Sequence, residues 1–203
     1  MTLHPEMLGQ PLRWAKPRVI FVNSMGDLFH EDIPFPFIAR AFEVMGEAYW
    51  HTFQVLTKRA ARLGSLSTKL RWPPNIWVGV TVENSECIER IKDLVRVPAT
   101  VRFLSLEPLL GPLPRLPLNG VHWVIVGGES GPRARPMRPD WIRSIRDQCK
   151  EKNVPFFFKQ WGGVWRSRRG RILDGMIWDQ EPEAAYPTLQ RSVHPAPCRR
   201  VIR

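Results

Sequence analysis

The stretch Ile76-Trp-Val-Gly-Val-Thr-Val82 is a short, nearly continuous run of apolar and β-branched residues. A strand with one face in water alternates apolar and polar side chains, whereas a parallel strand covered on both faces is apolar almost throughout. Polar residues return directly after the run, at Glu83 and Asn84. The stretch therefore predicts a buried parallel strand with polar side chains at its carboxyl end.

Five similar runs occur along the chain, and helical patterns separate most of them. The runs cover residues 18–23, 52–57, 101–106, 122–127 and 154–159. Apolar residues at helical spacing predict helices over 37–49, 84–95 and 139–152, with a weaker pattern over 59–70. Strands that alternate with helices predict an α/β protein with a parallel sheet. Six such strands fit either a TIM-like barrel or an open doubly wound sheet, and the periodicity alone does not separate the two.

Two of the predicted helices carry local signals. Asn84 suits the N-cap of the helix over 84–95, and Pro139 suits the first position of the helix over 139–152. Glu86 and Arg90 stand four residues apart, a spacing that favours an ion pair on the exposed side of the first of these helices.

The composition is that of a globular protein. The chain has 203 residues, of which 43% are hydrophobic and 24% charged, enough for one domain with a sizeable core. No apolar run reaches the roughly 20 residues of a membrane-spanning helix, and the first residues lack the pattern of a secretory signal. We therefore expect a cytoplasmic protein with no membrane partner. The expected organisation is a barrel-like domain over 1–163 and a basic, Pro/Arg-rich, partly disordered extension over 164–203.

The positive charge is concentrated near the C-terminus. The formal net charge is +11, and from residue 131 onward sixteen Arg and Lys stand against seven Asp and Glu. Such a field attracts phosphate backbones, so nucleic acid is one expected partner, through this basic C-terminal third. A basic surface in contact only with solvent explains the same charge equally well.

The cysteines predict no metal site. Cys87, Cys149 and Cys198 are far apart, and none belongs to a Cys-x-x-Cys motif. We expect them to be reduced thiols, and we assign no metal ligand.

Polar and glycine residues follow each predicted strand, where parallel α/β folds hold their active sites. Carboxylates and lysines held close together are suited to proton transfer, which makes four of these residues the catalytic candidates: Lys58, Glu83, Glu107 and Lys159. The Gly127-Gly128-Glu129 turn offers backbone amides to an anion, although it matches neither a dinucleotide-binding nor a P-loop motif. Individually, each of these residues also fits a solvated turn or cap.

Several motifs, taken in this order, are similar to one protein family. They are FVNSMGDLFHED at 21–32, FQVLTKR at 53–59, VRFLSLEPLL at 101–110, WVIVGGESG at 123–131 and PFFFKQWGG at 155–163. The chain resembles the three-Cys-motif family of uncharacterised bacteriophage and prophage proteins, which is related to radical SAM enzymes. The resemblance covers about residues 8–180. It implies a radical SAM-like barrel that holds a [4Fe–4S] cluster and S-adenosylmethionine in full-length members. On that basis the cofactor-binding candidates are Asn23, Ser24, Asp27, Gly127, Gly128 and Glu129.

The chain departs from the family pattern at its N-terminus. The cysteine loop that would hold the cluster is absent from the sequence, and the three cysteines present do not replace it. A late start codon, a truncated gene and a cluster-free remnant are the three explanations. Because the first strand of the family fold would also be missing, we expect a partial TIM-like (β/α) barrel of about six parallel strands, with the open doubly wound sheet as the alternative.

Three functions are therefore open. The first is a radical SAM-like phage or prophage protein of unknown substrate, truncated and inactive in iron–sulfur chemistry. The second is a basic nucleic-acid-binding protein without catalysis, and the third is a fragment with no function. Whether it is an enzyme does not follow from the sequence.

Overall fold

The computed structural model describes residues 3–22, 26–164 and 170–183. Eight strands and four α-helices form within these residues. The strands are β1 (Val19–Val22), β2 (Thr52–Thr57), β3 (Ile76–Thr81), β4 (Arg102–Leu106), β5 (Trp123–Gly127), β6 (Phe156–Gln160), β7 (Ile172–Leu173) and β8 (Met176–Ile177). The helices are α1 (Phe35–Glu47), α2 (Ala60–Ser67), α3 (Arg90–Leu94) and α4 (Pro139–Glu151), with short 3-10 turns at Pro5–Met7, Gln10–Arg13 and Ser85–Cys87.

Strands β1 to β6 form one parallel sheet in which the spatial order of the strands follows the order of the chain. Right-handed crossovers between strands that always advance in one direction place every connecting helix on the same face. A doubly wound sheet requires the strand order to reverse, so the alternative of an open doubly wound sheet is wrong. The sheet instead curls into a half-barrel, which confirms the predicted partial TIM-like fold.

Each of the four predicted helical segments overlaps an α-helix, and the local signals at Asn84 and Pro139 are confirmed. Pro139 lies in the first turn of α4, and Ile142, Ile145 and Cys149 face the core from this helix with no exposed surface. The side chain of Asn84 accepts a hydrogen bond from the backbone N–H of Glu86, as an N-cap does. The predicted helix over 84–95 is divided, however, into the 3-10 turn Ser85–Cys87 and the short α3.

The predicted ion pair between Glu86 and Arg90 is wrong. The guanidinium of Arg90 turns toward the sheet, where Nη1 donates to the backbone oxygen of Thr81 at 2.6 Å and to Glu83 Oε2 at 2.8 Å. A partly buried carboxylate offers a stronger partner than an exposed one, because water screens it less. A contact with the end of β3 therefore replaces the local helix contact.

The sheet has a different core on each face. On its convex face, strand residues such as Val78, Val80 and Leu104 are fully buried against the helices. On its concave face, a separate aromatic cluster contains Trp77, Phe103 and Trp123. Gly79 makes room for this cluster, since a side chain there would overlap the ring of Phe103. The concave face is thus apolar at its base, as in the interior of a closed barrel.

The two edges of the sheet differ. The β6 edge is covered by residues that follow the β7–β8 hairpin, since Phe158 donates its backbone N–H to the oxygen of Trp178 at 2.8 Å. The hairpin is held to α4 by Asp174, whose carboxylate accepts from both Arg143 and Arg146 at 2.7 Å. These contacts lie beyond residue 163, where the sequence analysis ended the barrel-like domain. The β1 edge differs, because Val19 and Phe21 are each 45% exposed.

Within the described ranges, no helix combines the length and the apolar character that crossing a bilayer requires.

Candidate functional site

A cavity of about 930 Å³ lies on the concave side of the half-barrel. Its lower wall is formed by apolar side chains of the strands, among them Leu56, Phe103, Trp123, Ile125 and Phe157. Polar and charged side chains surround its upper rim, where the strands end. Cavities that combine apolar walls with a few convergent polar groups are the usual form of small-molecule sites.

Two charged pairs stand on this rim, and the first links the ends of β2 and β3. Lys58 Nζ lies 2.7 Å from Glu83 Oε1, and the other oxygen of Glu83 accepts from Arg90. Burial by itself would raise the pKa of Glu83, yet the two cations lower it below the ordinary value. Glu83 is therefore an anion with a partner on each oxygen. Its partner Lys58 lines the cavity and places a positive charge there.

The second pair links the ends of β4 and β6. Lys159 Nζ lies 2.8 Å from Glu107 Oε2, and the side-chain amide of Gln160 donates to Glu107 Oε1. Gly127 stands between them on β5, and a methyl group there would lie 3.0 Å from the Glu107 carboxyl carbon. The missing side chain at Gly127 thus lets Glu107 reach across one strand to its partners.

Asp27 is a buried anion that joins the β1 exit to the β2 exit. Its Oδ1 accepts from the Thr57 hydroxyl at 2.7 Å and from the Phe29 backbone, while Oδ2 accepts from Arg59 and the Lys58 backbone. Burial alone would raise the pKa of Asp27, but these four hydrogen bonds lower it below its ordinary value. Since both oxygens are already satisfied, Asp27 positions the neighbouring Lys58 and Arg59 on the cavity wall.

The glycine turn after β5 serves close contact between two backbone segments. A side chain at Gly128 would overlap the carbonyl oxygen of Trp161, and the Gly128 N–H donates to the Gln160 oxygen at 2.9 Å. The backbone N–H of Gly163 donates in turn to the backbone oxygen of Glu129 at 2.7 Å. The turn after β5 is therefore bonded to the turn after β6, and its glycines are required for that crossing.

Glu129, the last residue of this turn, forms an ion pair with Arg135. Arg135 donates two side-chain hydrogen bonds to its carboxylate, at 2.8 and 3.0 Å, and its backbone N–H adds a third. These hydrogen bonds lower the pKa of Glu129 to about 2. Glu129 is thus ionised near neutral pH and paired with Arg135.

The structure brings together four of the predicted site residues, because Asp27, Lys58, Glu107 and Lys159 all line the cavity. Glu83 joins them through its ion pair with Lys58. Gly127, Gly128 and Glu129 form the adjoining turn, and Asn23 and Ser24 fall outside the described residues. Two pairs of an acid with a lysine are present: Lys58 with Glu83, from neighbouring strands, and Lys159 with Glu107, from strands separated by β5.

Sequence reasoning missed the interior positions of the strands themselves. Gln54 and Thr81 are the missed polar residues, which line the cavity from β2 and β3, beside Ser105 of β4, a residue that the sequence did indicate at its strand end. Each occurs in a run that is otherwise apolar, on the side of its strand that alternation assigns to the interior. A polar residue at such a position was the available signal.

Cys87 and Cys149, the two cysteines with described positions, do not fit an iron–sulfur cluster. Cys87 lies in a 3-10 turn, while Cys149 is fully buried in α4, where burial raises the pKa of its thiol to about 12. Cluster ligands are thiolates that converge on one site. No group of three or more His, Cys, Asp or Glu able to hold a metal occurs among the residues with described positions.

The basic excess of the C-terminal third falls mostly outside the described residues. The segments 165–169 and 184–203 contain seven arginines and no acidic residue. The described remainder of that third carries many ion pairs, such as Arg143 and Arg146 with Asp174. Its charge is thereby largely neutralised.

Searches of curated proteins and of solved structures each found no match to this chain. A family model described as "Protein of unknown function (DUF5131)" matches residues 1–182, which is most of the chain and includes the whole half-barrel and its cavity rim. The chain therefore belongs to the DUF5131 family of proteins of unknown function.

Proposed function

We propose that the concave cavity binds S-adenosylmethionine, and that the chain is a radical SAM-like protein of the phage and prophage type. The observation that carries this proposal is the combination of an apolar, aromatic wall with two Lys–Glu pairs on the rim of one cavity. The motif resemblance supports the same ligand. In this proposal Lys58, Glu83, Glu107 and Lys159 bind the ligand, while Asp27 and the Gly127-Gly128-Glu129 turn position the strand ends that carry them.

The chemistry of the rim fits the ligand in each of its parts. The methionine end carries a carboxylate and an ammonium group, which a lysine and a glutamate can bind together. The pairs Lys58–Glu83 and Lys159–Glu107 each supply both charges within 3 Å of one another. The adenine ring is planar and its two faces stack on apolar side chains, so it suits the wall of Ile125 and Phe157. The sulfonium cation is attracted by the same aromatic faces.

The proposal for this chain is confined to ligand binding. The resemblance implies a [4Fe–4S] cluster in full-length members, but the described cysteines do not fit one. We therefore assign no step to iron–sulfur chemistry. Both this ligand and nucleic acid occur in the cytoplasm, which we retain as the proposed location.

Isothermal titration of the purified chain with S-adenosylmethionine tests this proposal. We expect saturable one-to-one binding, and we expect Lys58→Met to weaken it by at least about tenfold because a charge-assisted hydrogen bond is lost. Lys152→Met is the matched control, because Lys152 is exposed and pairs only with its neighbour Glu151. Absence of binding to the folded wild-type chain, or equal weakening by both variants, would count against the proposal.

A second function, nucleic-acid binding, is favoured by the seven arginines of segments 165–169 and 184–203. We propose that this contact is non-specific and follows the release of counterions. If the protein contacts about six phosphates, its affinity should fall on the order of 10³ between about 50 and 200 mM salt.

Fluorescence anisotropy with a labelled oligonucleotide measures this dependence. On a duplex oligonucleotide, the triple variant Arg166→Gln, Arg168→Gln and Arg169→Gln should reduce the slope of log affinity against log salt concentration by about 2.7. Binding that ignores salt, or no binding at low salt, would rule this second function out.

A further inference from the structure

The β1–β2 side of the cavity combines an exposed aromatic ring with a primary amide. Phe21 and Gln54 are direct partners in the parallel register of these two strands, and both line the cavity. Phe21 is 45% exposed, which is unusual for a large apolar side chain on an apolar strand. Adjacent residues on neighbouring strands lie about 5 Å apart, which places the ring and the amide side by side.

The side chain of Gln54 makes no hydrogen bond to the part of the chain that the structure describes. Its surroundings are apolar, since Phe21 and Leu56 flank it on the same wall. A polar group in a partly buried apolar site is costly unless it gains a partner. A primary amide offers one donor and one acceptor next to each other in a plane.

Two further polar groups face the same space. Thr81 and Ser105 are direct partners in the register of β3 and β4, and both line the cavity. Their hydroxyl groups also make no hydrogen bond within the described residues, while Ser105 itself is only 6% exposed. The wall thus presents an amide, two neighbouring hydroxyls and an exposed aromatic ring to one ligand.

We propose that this wall binds a nucleoside, with the base stacked on Phe21 and its edge hydrogen-bonded to Gln54. Aromatic stacking is a common way for proteins to hold a base, and the donor and acceptor of glutamine match the paired groups on a base edge. The hydroxyls of Thr81 and Ser105 suit the sugar. The exposed β1 edge leaves this side of the cavity accessible, so a nucleotide within a single strand is able to enter as well as a free one.

This inference adds a second ligand to the cavity of the proposed function, and it uses different residues. The rim pairs involve Lys58 and Lys159 at the ends of β2 and β6, whereas the base site involves Phe21 and Gln54 within β1 and β2, with Gln54 four residues before Lys58 in the chain. The cavity volume of about 930 Å³ is near the upper end of the range for ligand sites, about 300 to 1,000 Å³, and leaves room for two molecules. The nucleoside would then be the substrate class that meets the proposed cofactor.

Titration of the full chain with AMP, GMP, CMP and UMP, followed by tryptophan fluorescence, tests the base site. Ribose 5-phosphate is the control ligand without a base. We expect at least one nucleotide to bind at least tenfold more tightly than ribose 5-phosphate. We expect Phe21→Ala and Gln54→Leu each to weaken binding of that nucleotide by about tenfold. Phe21→Ala removes the stacking, and Gln54→Leu removes the hydrogen bonds.

Val19→Ala is the matched control, because Val19 is as exposed as Phe21 on the same strand but lies outside the cavity lining. It should leave nucleotide binding unchanged. A labelled single-stranded oligonucleotide, titrated in parallel, shows whether the base comes from a free nucleotide or from a strand. Binding of either source through Phe21 and Gln54 supports the base site.

Three results would overturn the inference. One is that no nucleotide binds better than ribose 5-phosphate. Another is that the wild-type chain is a dimer in solution and Phe21→Ala makes it monomeric without changing nucleotide binding, which would make Phe21 part of a protein interface. The third is that both variants weaken S-adenosylmethionine to the same extent as AMP, which would merge the two sites into one. Loss of S-adenosylmethionine binding in Lys58→Met with unchanged AMP binding would support two separate sites, so failure of one proposal is distinguishable from failure of the other.

Discussion

Replacing Gly128 by alanine is expected to destabilise the protein by at least about 3 kcal/mol, the upper end of the cost of overpacking. The added methyl group would overlap the backbone oxygen of Trp161, and backbone atoms cannot move aside as a flexible side chain can. Relief would require the turns after β5 and β6 to separate. The hydrogen bonds of Gly128 to Gln160 and of Gly163 to Glu129 would then be lost.

Urea denaturation followed by circular dichroism measures this free energy of unfolding. Gly111→Ala is the matched control, since the nearest atom to a methyl group there is Asn84 Cβ at 3.8 Å. That distance is an ordinary van der Waals contact, so the control should differ from the wild type by less than about 1 kcal/mol. Equal stability of the two variants would show that the two turns do not cross as described.

Replacing Asp27 by asparagine is expected to cost about 3 kcal/mol of stability. The carboxylate accepts four hydrogen bonds, and an asparagine side chain keeps only one accepting oxygen. Its amide nitrogen would face the Lys58 N–H and the Arg59 guanidinium, which are also donors. Buried donors left without an acceptor cost about 1 to 3 kcal/mol each.

The effect of Asp27 should depend on pH with a defined sign. Because folding lowers the pKa of Asp27, its ionised form stabilises the protein at pH values above the ordinary 3.8. This contribution is lost as the pH falls from there through the folded-state pKa. The stability difference between the wild type and Asp27→Asn should therefore be constant near neutral pH and shrink below about pH 4.

Asp32→Asn provides the control, since the Asp32 side chain is 68% exposed. It should change stability little at any pH, because exposed charges are well solvated. If Asp27→Asn and Asp32→Asn lowered the free energy of unfolding by the same amount relative to the wild type, the buried position of Asp27 with its four hydrogen bonds would be contradicted.

The sheet could be predicted because its signals are local. All six long strands coincide within two residues with apolar runs in the sequence, as Ile76–Thr81 shows. Among the described residues that follow these runs, Asp27, Lys58, Glu107 and Lys159 line one cavity. Parallel strands share a direction, so the residues at their carboxyl ends meet whatever their spacing in the chain.

The partners of the site residues could not be predicted, because they depend on contacts distant in sequence. Arg90 has a suitable partner four residues away in Glu86, and only the folded sheet brings Glu83 closer. Glu107 reaches Lys159 because Gly127, on the strand between them, has no side chain. The strand order that excludes a doubly wound sheet is likewise a property of the whole chain and not of any one run.

The most direct test of the central claim is a crystal structure of the chain grown with saturating S-adenosylhomocysteine, a stable analogue of the proposed cofactor. We predict density for one molecule on the concave face, with its carboxylate at Lys58 or Lys159 and its adenosyl group against Ile125 and Phe157. An empty concave cavity at saturating ligand, or density for the analogue elsewhere on the molecule, would contradict the account.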